Sequence, residues 1–313
     1  MKQFITMLDL AKYRHNDIET GIIDEAAKDI PEFKSIPMKL IEGTEYKTLR
    51  RLSVPHGSFR KLNQGIKSSL SDTAEIEWKC HVFDSLLSVD AATVTGLDGS
   101  YDALAEEAAG LLEGNLLYLA EQAYYGIAHD ADGFPGYMDA LEDSMLVEAG
   151  SEAGSGCTSV WFIHRGRKGV RFVAGKNTPL KVDKPILQRI PDPNDPTKTL
   201  NAYTANMQGW YGLQIGHSQS VGRIAGIDDS NPLSDEILTE MYYKFPTGLR
   251  PNAIYMTRKA AAMLHKSRAK IAALKNGGAE VSLTTDYAAA LPADFLGIPI
   301  FVSDAISDNE AAA

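Results

Sequence analysis

Cysteine is nearly absent: Cys80 and Cys157 are the only two in 313 residues. They stand far apart and lack the close pairing that metal knuckles and disulfide scaffolds use, so both read as buried thiols of a protein made in a reducing cytoplasm. No run of about 18 apolar residues exists, and the N-terminus, MKQFITMLDLAKYRHND, places acids and bases where a signal peptide needs an apolar core. Neither a membrane span nor export is expected. A basic excess is missing too. The net charge is -10, whereas tight wrapping of nucleic acid needs a dense basic surface that releases counterions.

Catalytic and ligand-binding signatures fail one by one. GKNT at 175–178 resembles the end of a phosphate loop, but Val170 and Asn177 stand where that motif needs Gly and Ser or Thr. A turn is the better reading. GHSQS at 216–220 has Ser220 where a nucleophile elbow requires Gly. Ser218 is therefore a candidate hydrolase nucleophile without an ordered Asp and His pattern, and a fluorophosphonate probe would label it if activated. DADGFPG at 130–136 begins like a calcium loop and then has Pro135 where Gly is required. The seven histidines are dispersed, with no HExxH or neighbouring ligand pair. No catalytic residue, metal or cofactor is assigned.

What is present is apolar pattern. With 44% hydrophobic residues the chain is globular and long enough for two lobes. Residues 100–126 predict one long helix, with Tyr101, Leu104, Ala108, Leu111, Leu112, Leu116, Leu119, Ala123 and Tyr124 at helical spacing. Ser100 is placed as its N-cap and Gly126 as its stop. At ~1.5 Å per residue it is about 40 Å long, a spine for other elements.

Around that spine, residues 1–43 read as an arm of short helix and extended chain. Its apolar residues, Ile22, Ile23, Ile30, Phe33, Ile36 and Met38, are too spread out for a core of their own and are expected along a partner surface. Residues 44–90 read as two strands flanking a polar tip around 63–73, a hairpin too long to stand alone. Either another lobe or another copy of the chain must support it. After the spine, 158–183 reads as paired strands turning at 165–169, 184–203 as a Pro- and Asp-rich excursion, and 208–228 as glycine-bearing, bulged strands. A helix over 232–246, a strand over 252–256, a basic helix capped by Thr257 and stopped by Gly277, and a strand with a Gly-Ile-Pro turn complete the chain. The basic helix has Ala260, Leu264, Ile271 and Leu274 inward. Its cations face solvent or acidic neighbours.

Taken in order, LSVPHGSFRKLNQG (52–65), VDAATVTGLD leading into the helix, GFPGYMD, VGRIAGID, NAIYMTRKAAAMLHK and LGIPIFVSDAI resemble a tailed-bacteriophage major capsid protein over almost the whole chain. The resemblance implies an α+β fold, the tailed-phage major capsid protein fold also found in encapsulins. Its implied parts are an N-terminal arm (1–43), an extended loop (44–90), a peripheral domain with the spine helix (91–157), a β-rich segment read as an insertion (158–228), an axial domain (229–292) and a C-terminal return strand (293–313). It implies a chain that self-assembles as pentamers and hexamers into an icosahedral shell enclosing double-stranded DNA. The implied partners are further copies of itself, a portal protein, a separate scaffolding or decoration protein, and DNA held non-specifically. No long helical segment precedes the arm, so scaffolding is expected from a separate protein or not at all. Assembly is expected in the bacterial host cytoplasm, followed by residence in the virion capsid. Expected inter-subunit contacts are Phe33, Arg50, Arg51, His56, Phe59, Arg60, Lys61, Lys67, Arg258 and Lys266. The alternatives are an encapsulin-like nanocompartment and, from a different class, a serine hydrolase built on Ser218.

Overall fold

The computed structural model describes residues 30–92, 100–150, 156–176, 181–191, 195, 197–275 and 291–310. The arm's first 29 residues, with the apolar Ile22 and Ile23, and the stop at Gly277 lie outside them. In chain order the elements are α1 (Pro31–Ser35), β1 (Met38–Ile41), β2 (Glu45–Arg51), β3 (Thr73–Lys79), β4 (His81–Asp90), α2 (Ser100–Tyr125), α3 (Tyr137–Ala140), β5 (Leu146–Glu148), β6 (Thr158–Ile163), β7 (Val170–Gly175), β8 (Lys181–Val182), β9 (Ile186–Pro191), β10 (Thr199–Ile215), β11 (Val221–Ile227), α4 (Asp235–Lys244), β12 (Ala253–Met256), α5 (Arg258–Lys275), β13 (Asp294–Phe295) and β14 (Ile298–Val302).

Two sheets carry the fold. The first runs β1-β7-β10-β4, with β8 and β9 also paired to β10; the second runs β13-β14-β12-β6-β11-β5. The stripe predicted on α2 is buried at Leu112, Leu116, Leu119, Ala123 and Tyr124. It packs with Phe172, Met207, Tyr211 and Leu213 from the inner face of the first sheet. Strand period explains the last three, since odd-numbered residues of β10 point to one face. At about 1.5–3 kcal/mol for each large apolar side chain buried, this contact is a major source of stability. Gly126, at φ 55, ends the helix as expected. A side chain there would collide with Asp139, whose Oδ2 accepts the Gly136 and Ile127 amides at 2.7 and 3.0 Å.

In the second sheet β6 is buried at all six residues. Trp161 and Ile163 point into the core shared with α2, while Val160 and Phe162 point into a second core with Leu238 and Met241 of α4 and Leu264 of α5. β12 repeats the division through Ala253 and Tyr255 on one side and Ile254 and Met256 on the other. Thr257 caps α5 as predicted, its Oγ1 accepting the Ala260 amide at 3.2 Å. The turn between β13 and β14 is Leu296-Gly297, both at positive φ, so Ile298 and Pro299 lie in the strand after it.

Four sequence expectations differ from this arrangement. The strands at 158–163 and 170–175 do not pair. β6 lies between β11 and β12, and β7 between β1 and β10, so both hydrogen-bonding edges of each are taken by other strands. The excursion near 184–203 is an antiparallel hairpin, Ile186 opposite Thr204 through Pro191 opposite Thr199. Residues 158–228 are not an added unit; they supply the middle strands of both sheets. The arm's Ile30, Phe33 and Ile36 are buried in their own chain, and Phe33 stacks on Phe172 at 5.1 Å. A side chain enclosed in that way has no surface for a partner, so Phe33 is withdrawn as an inter-subunit contact.

Two buried acids tie distant segments together. Glu32 of α1 is fully enclosed, with Oε1 accepting the Tyr124 hydroxyl at 2.6 Å and Oε2 without a protein partner. Burial raises its pKa above the ordinary value of 4.5, by more than the hydrogen bond from Tyr124 lowers it. Glu310 pairs with Arg223 at 2.7 Å and accepts the Tyr125 hydroxyl at 2.7 Å; Arg223 also donates to Ser159 at 2.9 Å. That network fastens the end of the described chain to β11, β6 and α2.

A raised pKa means that Glu32 contributes its stability while protonated. The contribution is complete below the ordinary carboxyl range and is lost as pH rises through the raised value. Thermal unfolding midpoints recorded from about pH 4 to about pH 8 should fall less steeply in Glu32→Gln than in the parent. Equal slopes would show that folding leaves the pKa of this carboxyl unshifted. Glu310→Ala strands a guanidinium that is 2% exposed, and urea unfolding should record a loss of about 3–5 kcal/mol.

Candidate inter-subunit surface

β2 and β3 form a separate two-stranded ladder, in register from Glu45 opposite Lys79 to Arg51 opposite Thr73. Across it Trp78 Nε1 donates to Thr48 Oγ1 at 2.8 Å, and Lys47 pairs with Glu75 at 2.9 Å. The ladder is anchored at its base. Tyr46 packs with Ile41, Cys80 and Val173 on the outer face of the first sheet, and its hydroxyl donates to the Gln214 side chain. Arg50 donates to the Ile215 carbonyl at 3.1 Å. Burial pushes the Cys80 thiol up to about 11, so it serves as a small apolar side chain there.

Past this anchor, every residue from 51 to 70 is exposed. The segment has no regular secondary structure but bonds to itself. Leu52 N donates to Asp72 O at 2.8 Å, Ser69 Oγ to His56 O at 3.0 Å, and Arg60 Nη1 to Gln64 O at 2.9 Å; Asn63 turns the tip at φ 66. On it stand Leu52, Val54, Phe59, Leu62, Ile66 and Leu70, with Phe59 entirely uncovered and Leu62 92% exposed. One exposed Leu needs no explanation; a series on one segment marks an interaction surface.

Of the expected contacts, Arg51, His56, Phe59, Arg60, Lys61 and Lys67 all fall on this exposed segment. Arg50 is half-buried at the anchor and supports the hairpin. Arg258 and Lys266 sit on α5, where Arg258 pairs with Asp304 at 2.6 Å and Lys266 is exposed. The apolar Leu62, Ile66 and Leu70 escaped the sequence reading. Their signal was present in the spacing of Phe59, Leu62, Ile66 and Leu70, which matches a helix period, although the segment forms no helix and buries none of them in its own chain.

Ser218 begins a short 3-10 turn in which His217 Nδ1 accepts the Gln219 amide at 3.1 Å, so that ring nitrogen is engaged locally. Burial, then the charge of Arg50, lowers the pKa of His217. Among the described residues no group of three or more His, Cys, Asp or Glu side chains is placed to hold a metal ion. No helix among them is long and apolar enough to cross a membrane.

The spine helix on one sheet, the second sheet with its own helices, and an anchored but uncovered hairpin define the tailed-phage capsid fold, a class of shell-forming proteins. A chain of bacteriophage epsilon15 matches with a TM-score of 0.68 at 21% identity, over 89% of this chain and 88% of that one. A chain of Mycobacterium phage Adephagia matches with a TM-score of 0.47 at 10% identity, over 70% and 97%. The SrpI encapsulin of Synechococcus elongatus PCC 7942 matches with a TM-score of 0.42 at 10% identity, over 62% and 86%. No curated protein sequence matches. The family model for major capsid protein GP7 matches residues 6–313, and the chain belongs to that family. It is a structural subunit of a phage shell, and the family match favours this over the nanocompartment reading.

The exposure of the loop leads to a contrast in stability. Phe59→Ser should shift the unfolding free energy by less than about 0.5 kcal/mol, whereas Trp161→Ala in the aromatic core should cost about 3–5 kcal/mol. Denaturant titration of both variants measures it.

Proposed function

We propose that the hairpin lies across a neighbouring copy of the chain and that this contact, repeated around rings, closes the shell. The observation that carries the reading is the exposed apolar series from Leu52 to Leu70 on a hairpin whose base is fixed to its own subunit. A fixed base and an uncovered tip suit a lever whose end is completed by something else. Burying about 400 Å² of apolar surface there yields roughly 10 kcal/mol gross at ~25 cal/mol per Å², before ordering costs. Heterologous contacts of this kind generate rings when their rotation closes.

In this reading α2 and the first sheet make up the peripheral domain, and the second sheet with α4 and α5 makes up the axial domain that meets its copies around five-fold and six-fold axes. The shell encloses double-stranded DNA of a tailed phage. Portal protein occupies one vertex, and a separate scaffolding or decoration protein assists. Assembly takes place in the host cytoplasm. The charge of -10 suits a container whose wall holds DNA non-specifically and in a salt-sensitive way.

Replacing residues 54–71 by a two-residue Asn-Gly turn removes the lever tip without touching β3, which begins at Thr73. The variant should stay soluble with an unchanged melting temperature and form no shells in negative-stain micrographs. Normal particles from it would refute the loop assignment.

A further inference from the structure

Five cations gather where the hairpin meets the first sheet. Lys39 and Arg171 lie on the outer face of β1 and β7, the face that also carries Ile41 and Val173. Arg167 and Lys168 are exposed on the turn just before β7, and Arg50 reaches in from the hairpin. Gln214, 3% exposed, ties two of these segments to the hairpin. Its Oε1 accepts from Arg171 and Tyr46, and its Nε2 donates to the Arg167 carbonyl at 3.3 Å. Lys39 Nζ sits 3.3 Å from the centroid of the Tyr46 ring.

Among the described residues no carboxylate forms an ion pair with any of these five, although the chain as a whole has an excess of acids. Lys39 registers the crowding, since burial first, and then Arg171 and Arg167, lower its pKa. Like charges brought together without a carboxylate raise the energy of the isolated subunit, and the exposed Arg167 and Lys168 stand open to an incoming anion.

We infer that this cluster is a docking site for carboxylates of a second copy of the chain, formed when neighbouring subunits meet at the hairpin base. It rests on the shell reading above and adds a polar contact to the apolar one made by the hairpin tip. Two observations favour a protein partner over DNA phosphate. The same outer face continues from the cations into Trp210, with Val82 opposite it, and on to Leu86 opposite Asn206. Val82 and Leu86 are 51% and 64% exposed, and a phosphate backbone would leave them wet. The other surfaces of an acidic chain are also the most abundant source of carboxylates in a closed shell. The hairpin's own segment 52–71 cannot supply the anions, because its charged residues are Arg60, Lys61 and Lys67.

Arg167→Glu with Lys168→Glu reverses two exposed charges and leaves the fold alone. Purified parent and variant are compared for thermal melting, for the critical concentration of shell assembly by sedimentation at low and high salt, and for retention of duplex DNA on filters. The expected result is unchanged melting, unchanged DNA retention and a critical concentration raised about tenfold at low salt, equivalent to ~1.4 kcal/mol. High salt should narrow the difference, and the swap Arg167→Lys with Lys168→Arg should assemble like the parent. A variant that assembles normally overturns the inference; if it also loses DNA retention, the cluster is a phosphate site instead. A parent that forms no shells even with a phage scaffolding protein supplied refutes the hairpin-lever reading, and this inference with it.

Discussion

β6 has no side facing water. Trp161 and Ile163 belong to the core beneath α2, and Val160 and Phe162 belong to the core beneath α4 and α5. One strand thus supplies side chains to two apolar cores at once, one from each face. The aromatic group around it, with Tyr124, Tyr137 and Tyr255 at ring distances of 5.3 to 6.4 Å, joins helix, turn and sheet into one packed body. Arg223, fully buried beside Trp161, brings Glu310 and the end of the described chain into the same body.

That stiffness gives the hairpin a purpose. A lever transmits a fixed angle only if its base does not move, and here the base is held by Tyr46 in a small apolar cluster and by hydrogen bonds to Gln214 and Ile215. The tip, by contrast, is held only by its own hydrogen bonds. Its apolar side chains meet water in the isolated subunit, a state that association relieves. Rigid body, fixed base and unsatisfied tip are three consequences of where apolar residues could and could not be buried.

Much of this was legible from residue order. Helical spacing gave α2 and its buried face, Thr257 marked the start of α5, and the isolated polar-tipped hairpin pointed to support from elsewhere. The misreadings share one origin. The pair 158–163 and 170–175 looks like a hairpin because strands close in sequence usually pair, yet each is apolar on both faces and takes its partners from distant strands. Phe33, set among prolines and charges, looked like an arm residue; its burial against Phe172 depends on a strand some 140 positions later.

By itself, then, the sequence determined the local elements, because periodicity, capping and turn residues act within a few positions of one another. It also pointed to support from outside the hairpin, since a two-stranded hairpin of that length does not stand alone. Only the tertiary structure decided which strands are neighbours, which acid meets Arg223, and that Tyr46 of the hairpin, Arg171 and the Arg167 backbone meet at one buried glutamine. Those outcomes depend on contacts between residues far apart in the chain, where burial and charge are set by the partner that arrives and are invisible in either segment alone.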